Sequence, residues 1–156
     1  EAIQKVGSTF TGVEHRIELI RTRNGVRWYN DSIASSPSRT IAGLNSFPEK
    51  VILIAGGKDK GISYAPLGPV VNDRVKLLLL CGKTAGVIRE AVEQAENYKG
   101  LEILDVADYH EAVFIADARS QPGDVVILSP ASTSFDRFAN FMERGQVFKA
   151  IVNELK

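Results

Sequence analysis

Val51-Ile52-Leu53-Ile54-Ala55-Gly56-Gly57-Lys58-Asp59-Lys60-Gly61 decides how this chain folds. The five residues Val51 to Ala55 are apolar without a break, too continuous for a strand with one wet face, so they read as a strand covered on both sides. Two glycines end the run, and a loop carrying two lysines follows. Val75 to Leu80 and Val125 to Leu128 repeat the apolar pattern, and Leu101 to Val106 is a weaker fourth strand. Such strands need helices above and below them.

Helical patterns lie between the runs. Ser36-Pro37 places a capping residue before a proline at the first helical position, leading into Ile41, Leu44 and Phe47. Thr84 opens a second helix with Val87, Ile88, Ala91, Val92 and Ala95 at helical spacing, and Asp108 caps a third with Val113, Ile115 and Ala116. A last helical region carries Phe135, Phe138, Phe141, Met142, Phe148, Ile151, Val152 and Leu155, with Gly145 expected to kink or divide it. Ahead of all these, Ile17 to Arg21 and Val26 to Asn30 flank Asn24-Gly25, a strong hairpin signal. The order predicts an α/β fold: a three-layer, Rossmann-like sandwich with a mostly parallel sheet of about six strands, an antiparallel N-terminal hairpin and helices on both faces.

Length and composition fit one such domain over residues 1–156. A chain of this size buries about 68–70% of its unfolded surface, enough for a core without disulfides or metals. Hydrophobic residues at 44% and charged residues at 24% are those of an ordinary globular protein. Nineteen basic residues balance 19 acidic ones, so no long-range field gathers phosphates, and neither a nucleic acid nor an anionic membrane is an expected partner. The apolar runs are strand-sized and the N-terminal residues lack a signal-peptide pattern, so a cytoplasmic location is expected. The single cysteine, Cys81, continues an apolar run and reads as a buried, inert thiol.

Ligands of open α/β sheets bind beyond the carboxyl ends of the strands, which singles out the loops Asn30 to Ser36, Gly56 to Ile62 and Ser129 to Ser134. In the second, the glycines admit close approach and Lys58 and Lys60 offer charge to an anion. It is no P-loop, because Ile62-Ser63 stand where Lys-Ser/Thr would reach phosphate and magnesium. Gly82-Lys83-Thr84 imitates the end of that motif, but Leu77, five positions earlier, lies inside a strand. The third loop combines hydroxyls with backbone N–H groups expected at a helix end, which suits a carboxylate or phosphate; Ser134 is alternatively a plain helix cap. Asn30-Asp31-Ser32 offers an acidic group for ribose hydroxyls or for turn hydrogen bonds. His15 and His110 lack companion ligands at metal-binding spacing, and no metal site is expected.

Four segments in order resemble the C-terminal domain of the Mur ligases: Phe10 to Glu18, Val26 to Ser32, Ala55 to Gly61, and Leu128 to Asp136 continuing to Arg144-Gly145. The likeness runs from about residue 8 to the end, and it is greatest to the branch that adds D-glutamate to UDP-N-acetylmuramoyl-L-alanine in peptidoglycan synthesis. The resemblance implies ATP-driven amide formation through an acyl phosphate and a tetrahedral intermediate. It implies that Lys60, Ser134, Ser35 and the backbone of Phe141 hold D-glutamate. Arg16 and Asp31, with Asn30 beside it, would meet the phosphates and ribose of ATP as the domain closes. Many members read Asp-Ser-Lys where this chain has Asp31-Ser32-Ile33, so a lysine that the resemblance implies near the glutamate and the reaction centre is missing, and Arg39 or Lys58 is expected to supply its charge there.

The family's ATP-binding P-loop and Mg2+ ligands belong to a central domain and its UDP pocket to an N-terminal one, neither of which fits in 156 residues. No catalytic residue is therefore assigned to this domain, which is expected to be monomeric and inactive alone. An Asp-Asn-Pro-Arg signature of members that add meso-diaminopimelate is absent. Two alternatives stay open: a Mur ligase of other amino-acid specificity, and a stand-alone module that senses a nucleotide or amino acid.

Overall fold

A computed structural model describes residues 13–59, 61–134 and 137–156. Six strands and five helices alternate after an initial hairpin: β1 (Glu18–Arg23), β2 (Val26–Asn30), α1 (Pro37–Leu44), β3 (Val51–Ala55), α2 (Leu67–Arg74), β4 (Val75–Leu80), α3 (Ala85–Glu93), β5 (Glu102–Asp105), α4 (Tyr109–Arg119), β6 (Val125–Leu128) and α5 (Phe141–Asn153). The sheet order is β1-β2-β6-β3-β4-β5, antiparallel only between β1 and β2. This is the three-layer, Rossmann-like α/β sandwich read from the sequence. Asn24 and Gly25 both take positive φ, 53° and 80°, as the two-residue hairpin turn requires.

Alternation along the buried strands divides the core in two. Ile52 and Ile54 of β3 and Leu77 and Leu79 of β4 point toward α4 and α5, where Val113, Phe148 and Val152 cover them. Leu53 and Ala55, with Leu78 and Leu80, point the other way onto Leu44, Leu67, Val71, Ile88 and Val92 of α1, α2 and α3. A fully buried aliphatic side chain of this kind contributes about 1.5–3 kcal/mol, so helices of only two to three turns are held mainly by the sheet beneath them.

Two expectations need correction. The last helix begins at Phe141, where the Asn140 side chain accepts the Glu143 N–H at 2.8 Å; Phe138 lies in the preceding turn, and Phe135 lies outside the described residues. Gly145 does not divide that helix: α5 runs through it without a break to Asn153. A Cβ on Gly145 would stand 2.1 Å from His15 Nδ1, so the glycine serves close approach between the helix and the N-terminal segment. Helix α2 was not anticipated, because Pro66, Gly68 and Pro69 interrupt its pattern.

Strand β6 sits between β2 and β3, yet the helix after β6 covers one face and the helices after β2 and β3 cover the other. The loops leaving these three neighbours therefore diverge and open a crevice at the carboxyl edge. They are the three loops singled out by sequence.

Candidate functional site at the carboxyl edge of the sheet

The β3 and β6 loops are stitched together by their backbones. Gly56 N–H donates to the Pro130 carbonyl at 2.9 Å, Lys58 N–H to Thr133 O at 2.9 Å, and Thr133 N–H back to Lys58 O at 3.0 Å. A side chain at Gly57 would come within 2.5 Å of Thr133 O, which explains the glycine. Ala131 N–H is likewise taken by Ala34 O in the β2 loop, at 2.9 Å. The expectation of a helix end over 129–134 is overturned, since α5 starts only at Phe141, and the Ser129, Ala131 and Thr133 amides are paired inward rather than free. Ser134 is therefore no helix cap; its carbonyl accepts from Arg137 and Phe138 N–H in a turn. It is buried, at 3% exposure, at the end of the stitched segment. Lys60 lies outside the described residues.

Arg144 locks this side of the crevice. It is 1% exposed, and its guanidinium donates to Ser32 Oγ at 3.0 Å, Ser32 O at 2.8 Å and Ser132 O at 2.9 Å. Ser32 Oγ in turn donates to the Phe141 carbonyl at 2.7 Å, fixing the first turn of α5 against the β2 loop. Phe141 N–H belongs to that first turn, where helix amides lack intrahelical partners and the helix dipole favours an anion. Its ring is only half buried and meets His15 edge-on at 5.9 Å, so core packing with Phe148 does not explain the residue. Ser35 lies half-buried in the same β2 loop.

On the other side of the β2 loop a cavity of about 220 Å³ gathers Arg16, Asp31, Ile33, Arg39 and Gly43. Asp31 is buried, accepting Ser129 O–H at 2.8 Å and Ile17 N–H at 3.1 Å. Burial pushes its carboxyl up to about 6, against the two hydrogen bonds and the positive charge of Arg16 and Arg39, which favour the ionised form. Arg39, which sequence placed near glutamate, thus shares the cavity of Arg16 and Asp31. Asn30 does not open onto it: fully buried, it donates to His15 Nδ1 at 2.9 Å and Glu18 Oε1 at 3.1 Å and accepts Ser32 N–H at 3.0 Å. It shapes the loop that presents Asp31.

His15 is the hub sequence reasoning undervalued. It is 3% exposed with φ of 69°, and burial holds its imidazole below the usual range, hence neutral. Accepting from Asn30 at Nδ1 leaves the ring proton on Nε2, facing Glu14 at 3.6 Å. Glu14, His15 and Glu18 bring three possible metal ligands together, but Lys149 Nζ holds Glu14 at 2.7 Å and Glu18 at 3.1 Å, supplying the positive charge a metal would. The Glu-His spacing in a short segment was the available signal. Cys81 is buried, 4% exposed, with its thiol directed at the Ala107 carbonyl, as expected. Among the described residues no helix is long and apolar enough to cross a membrane.

A family model described as Mur ligase, glutamate ligase domain, matches residues 15–132. The UDP-N-acetylmuramoylalanine--D-glutamate ligase of Acetivibrio thermocellus is 57% identical over 160 residues, covering 100% of this chain and 34% of that protein. The chain thus spans about a third of the length of the curated relatives it matches. Among solved structures, UDP-N-acetylmuramate-alanine ligase from Thermotoga maritima superposes with a TM-score of 0.63 at 12% identity, over 94% of this chain and 32% of that one. The bifunctional folylpolyglutamate synthase/dihydrofolate synthase of Yersinia pestis, complexed with AMPPNP and Mn ion, gives 0.61 at 17% identity over 89% and 31%. At such identities the likeness is one of fold. The match to the family model and the close relatives establish more: the chain belongs to the Mur ligases, as their glutamate ligase domain.

Proposed function

We propose that this chain is the C-terminal, closing domain of a three-domain ligase that adds D-glutamate to UDP-N-acetylmuramoyl-L-alanine in the cytoplasm, with ATP. The observation that carries the reading is the crevice itself: one loop, 30–36, separates a cavity with two arginines and a buried carboxylate from a second side, where Ser32 ties the loop to the first turn of α5 and the segment ending at Ser134 is stitched to the β3 loop. The first suits a nucleotide, phosphates on Arg16 and Arg39 and ribose on Asp31; the second suits the two carboxylates of glutamate, on Lys60, Ser134, Ser35 and Phe141 N–H. Arg39 then stands in for the lysine missing at Ile33, on the nucleotide side.

In this mechanism ATP and UDP-N-acetylmuramoyl-L-alanine react in the central and N-terminal domains to give an acyl phosphate. The present domain carries the glutamate amine to it, and attack gives a tetrahedral intermediate that expels phosphate. Its contribution is orientation of two substrates across a closing boundary, with no group of its own that reacts. Mg2+ would supply positive charge for the phosphoryl transfer and would be held mainly by the central domain; among the described residues the one cluster of possible ligands, Glu14, His15 and Glu18, is already paired with Lys149. The domain works as a monomer with its own chain's other domains.

The complete ligase should form an amide with D-glutamate and ATP and reject meso-diaminopimelate, while the 156-residue chain alone forms none. Mass detection of the product checks this. Preference for another amino acid would move the chain to a different Mur specificity.

A further inference from the structure

Thr84 stands at the cap position of α3, where a hydroxyl ordinarily accepts an amide of its own helix, and it makes no such bond. Its Oγ1 instead accepts the Gly57 N–H at 2.9 Å, and its own N–H donates to the Gly57 carbonyl at 3.0 Å. Because Thr84 Oγ1 uses a lone pair on Gly57, its proton is available to Ser132 Oγ at 2.8 Å; Ser132 Oγ lies 3.0 Å from the Tyr64 hydroxyl. Thr84, Ser132 and Tyr64 are buried, at 1%, 0% and 6% exposure. Three hydroxyls from three elements thus tie the β3 loop to the β6 loop beneath the Lys58–Thr133 bridge. Lys60 and Ser134 follow the bridged pair by two residues and one in sequence. The Thr84 hydroxyl is thus engaged by the β3 and β6 loops and not by its own helix.

We propose that Thr84 is a positioning residue for amino-acid binding: by clamping Gly57 to Ser132 it sets the separation of the two loops that take the carboxylates of the incoming amino acid. This gives a role to Gly82-Lys83-Thr84, the segment that only imitates a phosphate loop. The inference rests on the glutamate reading of Lys60 and Ser134.

The test is steady-state kinetics of the complete ligase carrying Thr84→Val, Thr84→Ser, Tyr64→Phe or Lys60→Ala. Thr84→Val leaves the Gly57 amide without an acceptor and should raise KM for D-glutamate about tenfold, with KM for ATP changed less than about twofold; Thr84→Ser keeps the hydroxyl and should restore the wild-type value. If Thr84→Val yields no folded enzyme, Tyr64→Phe, which loosens only the far end of the clamp, should raise KM for D-glutamate about threefold. Unchanged KM for D-glutamate in these variants, or equal increases for both substrates, overturns the proposal. Lys60→Ala separates the two readings: if it leaves KM for D-glutamate unaltered, the glutamate assignment itself fails.

Discussion

Asp31 shows what a buried carboxylate costs its domain. Buried and raised from 3.8 to about 6, it binds its proton more tightly in the folded chain than in the unfolded one. Between those values the native state holds more protons, so stability should fall as pH rises from about 4 to about 6 and level off above, a total of about 2–3 kcal/mol. Asp31→Asn should remove that slope and make the chain more stable than wild type at pH 7.5, since the Asn oxygen still accepts from Ile17 N–H and Ser129 O–H can turn to Thr40 Oγ1, 3.0 Å away. Urea denaturation of both proteins at several pH values checks this. A wild-type midpoint that rises with pH across the window would contradict it. The neighbouring residues explain why sequence reached only half of this site. Asp31 and Arg16 lie in segments with a recognisable pattern, whereas Arg39 joins them only because α1 turns its first turn back over the same cavity.

At the scale of elements, legibility followed how local the deciding forces are. Strands β3, β4 and β6 lie on their apolar runs, because burial on both faces leaves no alternative reading, and β2 was marked by the Asn24-Gly25 turn before it. Asp108 caps α4 through a bond to Glu111 N–H that spans three residues, and it was equally readable. The presence of α2 was not, because it depends on partners distant in sequence, α1 and α3; the start of α5 has an equally local cap, Asn140 to Glu143 N–H, and was hidden because Phe135 and Phe138 continue the apolar spacing of the helix upstream of it. Gly145 is the sharpest case. In an exposed helix interior, glycine to alanine gains about 1 kcal/mol. Here the added methyl meets His15 Nδ1 and Cε1 and, at 3.0 Å, Asn30 Nδ2, so it must disrupt the His15–Asn30 bond. Gly145→Ala should therefore lower stability by about 1–3 kcal/mol, measured as a reduced urea midpoint at unchanged slope. Equal or higher stability would show that α5 does not need its close approach to the N-terminal segment.

For the whole molecule, neutral net charge conceals a polarised edge. Arg16, Arg39 and Lys58 lie on or beside the loops at the carboxyl end of the sheet, with Asp31 and Asp59 among them, while Arg23 and Arg119 are paired elsewhere with Asp117 and Glu102. The fold was legible because it is set by strand and helix order. The candidate site was legible as three loops but not as two sides of one of them, because what separates the sides, Ser32 and Arg144 on one and Asp31 on the other, is a matter of which way consecutive side chains leave the loop. On the proposed reading, with the remaining contacts on other domains, this domain should bind each ligand weakly.

The most direct measurement is a chemical-shift titration of the isotope-labelled 156-residue chain with D-glutamate and, separately, ADP. Weak binding of both is predicted, with D-glutamate perturbing residues around Ser134, Ser35 and Phe141, and ADP perturbing Arg16, Asp31 and Arg39. Tight, micromolar binding of one ligand alone, as a sensor would show, or perturbations that leave these loops untouched, would contradict the account.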